Sequence, residues 1–525
     1  MAIIELGNVH SRVVPVSPEG IEKVQYHVAF QEDVLPPKPV QAEIRSYFRQ
    51  DHVFRKGGMA DVLAVQAQRH IVALMEDCGF DPADMTIRML ANTLKQRNVW
   101  SGWRSLVNDA GFFPTGVAHL VERALVLRVG EDVHYIDNRG PRPEPEPGIV
   151  ACPPLLPFQA EAVEAFLRGG RGVWDLPPRA GKTRAAMAAI ARIGRPAIFV
   201  VPTVGLVTQT VAAFHEFYPE NMVIGVSGGA ASLSAKRQRQ LLHALVIVAT
   251  PATASALPVL RTRQVLIIDE FHHAAADTWQ KVSVNCPAAW WRLGMTGTHF
   301  RSDGRDMEMA GVLGQVLYSR SVSDMVALGR LVPARIAMLR VFGGSWDGRQ
   351  WYKDSVVWHG PRNQTVVWAT IQLLERGFRP LVLAQEVEHV HVLASQIPGA
   401  VGVDGSDHDA VNAAIRGLGD GSVRCIVGTS VLGEGRDVPT ADALVYAAGG
   451  KSPVKVTQDT FRPLTASPGK RFAVIVDFAD NQGSNVVDHA TRRLLLYRDE
   501  TAFTTDVMEW TAFSAWLDRQ GGSVP

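Results

Sequence analysis

No uninterrupted apolar run in the chain approaches the ~18 residues of a membrane span. The start, MAIIELGNVHSRVV, lacks the long apolar core of a signal peptide. Cysteine is scarce: Cys78, Cys152, Cys286 and Cys425 lie far apart, with no CxxC pair. That spacing argues against a zinc site or a disulfide framework and fits a reducing cytoplasm. There is no repeat at a period of about 20–50 residues and no low-complexity tract, which excludes a solenoid. Net charge is also nearly absent, at +1. Its distribution is uneven, with +6 over residues 151–332 against −3 before and −2 after. A mildly basic middle third fits a phosphate-binding surface or an ordinary solvated face equally well.

What is present is a globular composition, 46% hydrophobic and 20% charged, over 525 residues. That length exceeds one core and implies roughly three domains of about 150 residues. Residues 139–157, RGPRPEPEPGIVACPPLLP, hold seven prolines. Proline excludes regular elements at that density, so the stretch reads as a semi-rigid linker. Ahead of it, residues 1–138 read as a small α+β unit. RVVPV (12–16) and DVHYID (132–137) carry strand signals, and DVLAVQAQRHIVALMEDCG (61–79) carries a helical period.

Behind the linker, short β-rich runs alternate with helical stretches: AIFVVP (197–202), ALVIVAT (244–250) and VLIIDE (265–270). This is the rhythm of a parallel sheet with helices on both faces. It restarts with PLVLAQ (380–385), RCIVGT (424–429), ALVYAA (443–448) and FAVIVDF (472–478). Two α/β units are therefore expected, 158–332 and 362–482. Residues 333–361, with GGSWDGRQWY, read as a connection. The tail 483–525 reads as helical from HATRRLLLYRDE and WTAFSAWLDRQ.

Two motifs carry chemistry. In DLPPRAGKTRAA (175–186), GKT followed by a helical run puts backbone N–H groups and a helix N-terminus around a phosphate chain. On that reading Arg179, Ala180 and Gly181 line the loop of an ATP site. Lys182 reaches the β/γ-phosphates, and the Thr183 hydroxyl holds Mg²⁺. Leu176 stands where the full pattern has its first glycine, and a chance GKT in a loop is the competing reading. VLIIDEFHH (265–273) places Asp269 and Glu270 at the C-terminal edge of a strand, where open α/β sheets bind ligands. Asp269 would bind Mg²⁺ through water, and Glu270 would orient or deprotonate the attacking water. A capped acidic pair is the alternative. His272 and His273 have no neighbours in the sequence that complete a zinc set.

In this order the blocks resemble the motor of superfamily 2 helicases, whose two RecA-like P-loop lobes clamp ATP between them. PFQAEAV (157–163) resembles the adenine-reading Q motif, which implies Gln159 on the base edge with Phe158 nearby. VVPTVGLVTQ (200–209) resembles motif Ia, VATPATA (248–254) motif Ib and GMTGTHFRSDG (294–304) motif III. TSVLGEGRDVPTADALVY (429–446) resembles motif V and QDTFRPLTASPGK (458–470) motif VI. The resemblance implies that Thr203, Thr250 and Thr429 hold successive phosphates of one DNA strand. It implies that Thr296 and Thr298 couple the ATP site to that strand. Gly435 and Asp437 would sit near the ribose and phosphates at the lobe interface, with Gln458 and Arg462 acting from the second lobe. Phosphate contacts carry no sequence information, so DNA binding should be largely non-specific and salt-sensitive. For any single threonine, a strand-end cap is the alternative.

DEFHH, the TGT…R-x-D-G ending and EGxDVP resemble the XPB/UvsW-like and type I restriction-motor branch. The stretch from Phe112, FFPTGVAHLVERALVLRVG, is similar to the accessory domain before the motor in UvsW-type phage helicases. The tail DHATRRLLLYRDETAF (488–503) resembles the same group. The resemblance implies that residues 1–138 help grip duplex, single-stranded or branched DNA. In VWSGWR (99–104), Trp100 and Trp103 beside Arg97 and Arg104 read either as a stacking patch or as core tryptophans.

Two departures stand out. Pro178 and Arg179 replace the Thr-Gly of TGxGKT. Motif VI normally reads Q-x-x-G-R-x-x-R, and here Phe461 replaces the glycine and Thr465 the second arginine. An arginine supplied across a phosphoryl-transfer site contributes roughly 10³–10⁵ in rate. Arg436, Arg471 and Arg179 are the candidates to compensate. Three readings follow. The first is a DNA-dependent ATPase that remodels branched DNA in phage-type replication, recombination or repair, in the bacterial cytoplasm. The second is a hydrolysis-deficient DNA-binding scaffold. The third is the motor of a restriction or defence assembly that works with a protein partner.

Overall fold

The computed structural model describes residues 141–521 apart from 229–232, 272–275, 298–310, 344–349, 405–406, 430–437 and 439. Earlier in the chain it describes 2–6, 10–14, 21, 24–25, 29–31, 103–105, 107 and 111–139. The helical stretch expected at 61–79 and Trp100 lie outside the described residues. Among those described, no helix is long and apolar enough to cross a membrane.

Before the linker, a four-stranded sheet runs in the order Phe112–Pro114, His10–Val14, Ala2–Leu6 and Val133–Asp137. The helix Ala118–Ala124 packs Val121 and Ala124 into the same core as Ile4, Val13 and Phe113. Trp103–Ser105 pairs antiparallel with Ala29–Gln31 as a separate ribbon.

Two seven-stranded sheets follow, each all-parallel among its paired strands. The first is ordered Val316–Ser319, Arg171–Asp175, Trp291–Thr296, Val265–Asp269, Ala197–Val200, Val246–Ala249, Val223–Val226. The second is ordered Ala400–Val403, Cys425–Gly428, Pro380–Leu383, Ala443–Tyr446, Ala473–Asp480, Ala334–Val341, Phe503–Glu509. Val265–Asp269 shows why these strands read as unbroken apolar runs. Val265 and Ile267 enter the core on one face, while Leu266 and Ile268 enter the core on the other. A parallel sheet covered by helices buries both faces, so alternation disappears. These are the two RecA-like lobes expected from the sequence.

Two expectations need correction. The stretch 333–361 is not merely a connection, because Ala334–Val341 is an inner strand of the second sheet. Its apolar run is broken by Arg335, whose guanidinium lies 5.9 Å from the centre of the Phe472 ring, and by Arg340, which reaches Glu509 at 3.2 Å. Long basic side chains lie along the sheet and keep their heads outside it. The tail is likewise not wholly helical. Between the helices Ser484–Asp499 and Phe513–Arg519 lies the edge strand Phe503–Glu509. Its sequence, FTTDVME, is half polar because an edge strand meets water.

The lobes share a core. One buried cluster runs from Trp174, Ile190 and Phe199 of the first lobe through Leu331, Val332 and Ile336 to Leu444, Leu464 and Ile475 of the second.

Candidate nucleotide site between the lobes

The strand ends of the first sheet lie in one row. Asp175 pairs with Thr296, Met295 with Asp269, Ile268 with Val200, and Val200 with Ala249. The loop after Asp175 leads into the helix Lys182–Ile193, so the helix N-terminus opens onto this row. Among the described residues, only Arg179 (φ 69°) and Glu270 (φ 45°) are non-glycine residues with positive φ. That conformation costs roughly 1–2 kcal/mol for an L-residue. Both occurrences fall at this one edge of the sheet.

Gln159 braces the loop. Its Oε1 accepts from Leu156 N at 3.0 Å and its Nε2 donates to Ala180 O at 2.8 Å. Gly181 (φ 74°) leaves no alternative there, since a Cβ on it would fall 2.4 Å from Gln159 Nε2. The Gln159 amide therefore ties the helix Pro157–Gly169 to the loop, while Phe158 is buried in the core. Lys182, 8% exposed, donates to Leu176 O at 3.1 Å and Pro177 O at 3.4 Å. Gly297 lies on the same spot: a Cβ there would stand 3.0 Å from Lys182 Nζ and 3.1 Å from Pro178 Cδ. Thr296 is buried, and its carbonyl accepts from Leu176 N at 3.1 Å. Thr298 lies outside the described residues, as do His272 and His273.

At the strand end, Glu270 N donates to Asp269 Oδ1 at 3.0 Å. Burial pushes the Asp269 carboxyl up to about 7; the neighbouring Glu270 adds to the shift and Lys182 opposes it. A desolvated carboxylate facing an ammonium, with a helix N-terminus beside it, asks for positive charge at the carboxylate and negative charge at the helix. Thr183, half-buried in the first helical turn, supplies a neutral oxygen. This donor chemistry fits a divalent cation carried on a polyphosphate.

The second lobe brings basic groups to the same place. Arg462, 4% exposed, stands in the turn Arg462–Leu464 after the helix Pro453–Thr460, and its Nε donates to Asp459 Oδ1 at 3.1 Å. Burial first, and then the charge of Arg462, lower the Arg179 guanidinium to about 10. An arginine of one lobe thus faces an arginine of the other. Gln458 is half-buried on the same helix.

The first motif VI departure has a packing explanation; the second sits in a backbone pairing that does not depend on its side chain. Phe461 is buried, with its ring 6.1 Å from that of Phe503 on the C-terminal strand. Thr465 forms an antiparallel bridge with Leu331, flanked by Val332 N to Leu464 O at 2.8 Å and Ala466 N to Arg330 O at 3.1 Å.

Of the candidate compensators, Arg436 lies outside the described residues, as do Gly435 and Asp437. Arg471 is exposed, with its guanidinium directed at Gly521, where a Cβ would meet it at 3.5 Å. Arg471 therefore belongs to the C-terminal side and not to this site. The cation that sequence reasoning missed is Lys470. Its ammonium donates to Ala441 O at 2.9 Å, Thr465 O at 3.2 Å and Pro463 O. The signal was present in the quoted motif but lay beyond its last expected arginine.

The three threonines also end parallel strands. Thr203 caps the helix Val204–His215, its Oγ1 accepting from Leu206 N at 3.4 Å. Thr250 precedes the helix Pro251–Ala256 and donates to Thr253 Oγ1 at 3.0 Å. Thr429 is buried at the end of Cys425–Gly428 in the second sheet. They are not part of the cluster around Lys182.

The model of the family described as "Type III restriction enzyme, res subunit" matches residues 153–301. The "DNA 3'-5' translocase XPB2" of Sulfurisphaera tokodaii is 24% identical over 341 residues, covering 56% of this chain and 75% of the relative. The "ATP-dependent DNA helicase uvsW" of Enterobacteria phage T4 is 22% identical over 349 residues, covering 62% of this chain and 68% of the relative. Among solved structures, "ATP-dependent Type ISP restriction-modification enzyme LlaBIII bound to DNA" superposes with a TM-score of 0.52 at 14% identity. That likeness covers 72% of this chain and 32% of the enzyme, and it concerns the fold alone.

Proposed function

We infer that this chain, a superfamily 2 homologue of the XPB and UvsW helicases built on two RecA-like lobes, is a DNA-dependent ATPase that translocates on or remodels DNA. The observation that carries the reading is Lys182 at the start of the helix Lys182–Ile193, beside the strand-end pair Asp269 and Glu270, with Arg462 of the other lobe near enough to Arg179 to lower it. Lys182 and the loop amides from Arg179 to Gly181 would hold the phosphates, and Gln159 would keep the loop in shape, whereas Phe158, buried in the core, has no face toward a base. Thr183 and Asp269 would hold Mg²⁺, which when bound neutralises phosphate charge. Glu270 would take the proton of the attacking water, and Arg462 would meet charge developing on the phosphate. Gln458, Gly435 and Asp437 would complete the nucleotide's surroundings.

Thr203, Thr250 and Thr429 would contact strand phosphates, with Thr296 and Thr298 linking them to the nucleotide. Two of these hydroxyls already serve local hydrogen bonds, which argues for positioning by backbone amides as much as by side chains. Branched DNA is the substrate this reading favours, with the domain of residues 1–138 as an added grip. The packing of Phe461 against Phe503 gives that departure a structural use, while Thr465 keeps the hydrolysis-deficient scaffold as the competing reading. A motor within a restriction or defence assembly is the second reading, favoured by the family model over residues 153–301.

The test is steady-state ATP hydrolysis without DNA, with single strands and with a synthetic fork, using Lys182→Ala as control. Fork-stimulated hydrolysis that the control abolishes supports the reading. Tight nucleotide binding with no hydrolysis on any DNA sinks it and leaves the scaffold.

A further inference from the structure

Lys470 has no role in the functional reading above, yet its surroundings are specific. Three carbonyls converge on one ammonium from two separate parts of the chain: Ala441 at the base of the inner strand Ala443–Tyr446, and Pro463 and Thr465 in the turn after Arg462. An ammonium has three N–H donors, so this set satisfies it completely. The turn it grips is also the segment stitched to Arg330–Val332, where the chain passes between the lobes. The charged groups around it are Asp442, Arg179 and Arg379. Asp442 is itself buried and accepts from Arg379 N at 2.6 Å.

We propose that Lys470 is a positioning residue for ATP hydrolysis: by clamping the Pro463 and Thr465 carbonyls to the base of the central strand, it fixes the turn that presents Arg462 to the loop around Arg179. The proposal rests on the ATPase reading. It explains how motif VI works with threonine at its last position. The turn is held from behind by a lysine five residues on, which takes the Thr465 carbonyl and makes no demand on its side chain.

The clamp needs the protonated amine. Burial pulls the Lys470 ammonium down to about 8, with Arg179 and Arg379 adding to the effect and Asp442 opposing it. The clamp therefore has all three donors below that pH and loses one of them, with its charge, as the pH rises through it. Arginine at this position would not titrate in the same range.

The experiment compares full-length wild type, Lys470→Ala, Lys470→Arg and Arg471→Ala by amide hydrogen exchange at Val332 and Ala466 and by fork-stimulated ATP hydrolysis from pH 6.5 to 9.5. In Lys470→Ala, both amides should exchange about tenfold faster and kcat should fall about tenfold with little change in KM, the size of one charge-assisted hydrogen bond. Lys470→Arg should restore protection and remove the fall in kcat above about pH 8. Arg471→Ala should match wild type. Unchanged exchange in Lys470→Ala overturns the clamp whatever the ATPase does. Faster exchange with unchanged kcat overturns its role in the reaction. Wild type that hydrolyses nothing defeats the ATPase reading instead, and the exchange data still decide whether the clamp exists.

Discussion

The two lobes bury arginine in different company. In the first, Arg263 and Arg292 are 1% and 0% exposed and reach mainly backbone carbonyls. Arg263 donates to Ala244 O at 2.7 Å and Leu241 O at 3.1 Å; Arg292 donates to Cys286 O at 2.7 Å, Ala289 O at 3.1 Å and Ser283 Oγ at 2.9 Å. Among the described residues neither has a carboxylate partner. In the second lobe, Arg362 pairs with Asp480 at 2.8 Å, and Arg493 pairs with Asp477 at 2.8 Å and Asp480 at 3.7 Å. Tyr497 adds a donor to Asp477 at 2.8 Å.

The first arrangement stops helices, collecting carbonyls at and beyond the ends of Ala235–His243 and Ala276–Val284. The second wires distant parts together. Arg362 and Arg493 also hold Ala447 O and Gly450 O, and the His489 ring meets Gly449 O, in the loop leading to the helix that carries Gln458. The C-terminal helix Ser484–Asp499 is thereby linked to the nucleotide side of the lobe. A buried cation can thus serve as a local cap or as a long-range tie, depending on whether its acceptors carry charge.

The sharpest way to break this comparison is Arg493→Ala. It leaves Asp477 buried without its cation and should cost about 3–5 kcal/mol in denaturant unfolding. Arg493→Lys should recover only part of that, because an ammonium lacks the planar fork that spans two carboxylates. Arg292→Met should cost less, about 1–3 kcal/mol, since it abandons carbonyls and one hydroxyl but no opposite charge. Equal losses in the two lobes would refute the distinction between cap and tie.

A finer contrast lies at Asp269, a buried first-lobe carboxylate whose environment favours the neutral form. A raised carboxyl pKa contributes stability at acid pH that is lost as the pH rises through about 7. Asp269→Asn should remove that slope and, without Mg²⁺, unfold about 1 kcal/mol later than wild type at pH 8. Thermal melts across pH 4–8 would show it. Smallest of all, Arg340→Gln should move stability by about 0.5 kcal/mol, as its pairing with Glu509 is exposed.

Much of this was legible in the sequence. VLIID reads as a strand because both faces are buried and every residue before Asp269 is apolar. GKT and Asp-Glu read as a phosphate site because each is a local pattern. ARIAMLRV and FTTDVME were not legible, because snorkelling arginines and a wet edge disguise the period. Phe461 looked like a loss from a motif because its partner, Phe503, is remote in the chain. Lys470 and Arg471 are neighbours that face different parts of the protein, and nothing in two adjacent basic residues says which turns inward. The acceptors of Lys470 lie on two segments that only the folded chain brings together.

The stitch between Arg330–Val332 and Leu464–Ala466 has a mechanical consequence. A joint at the crossing of two bodies becomes their axis, and displacement grows with distance from an axis. Arg462 lies two residues from that joint and would travel a short arc in any rotation of the lobes about it. Thr429 and the outer strand Ala400–Val403 stand several strands away across the second sheet and would travel a long one. A small turn about the joint would shift Arg462 little and the outer strand far.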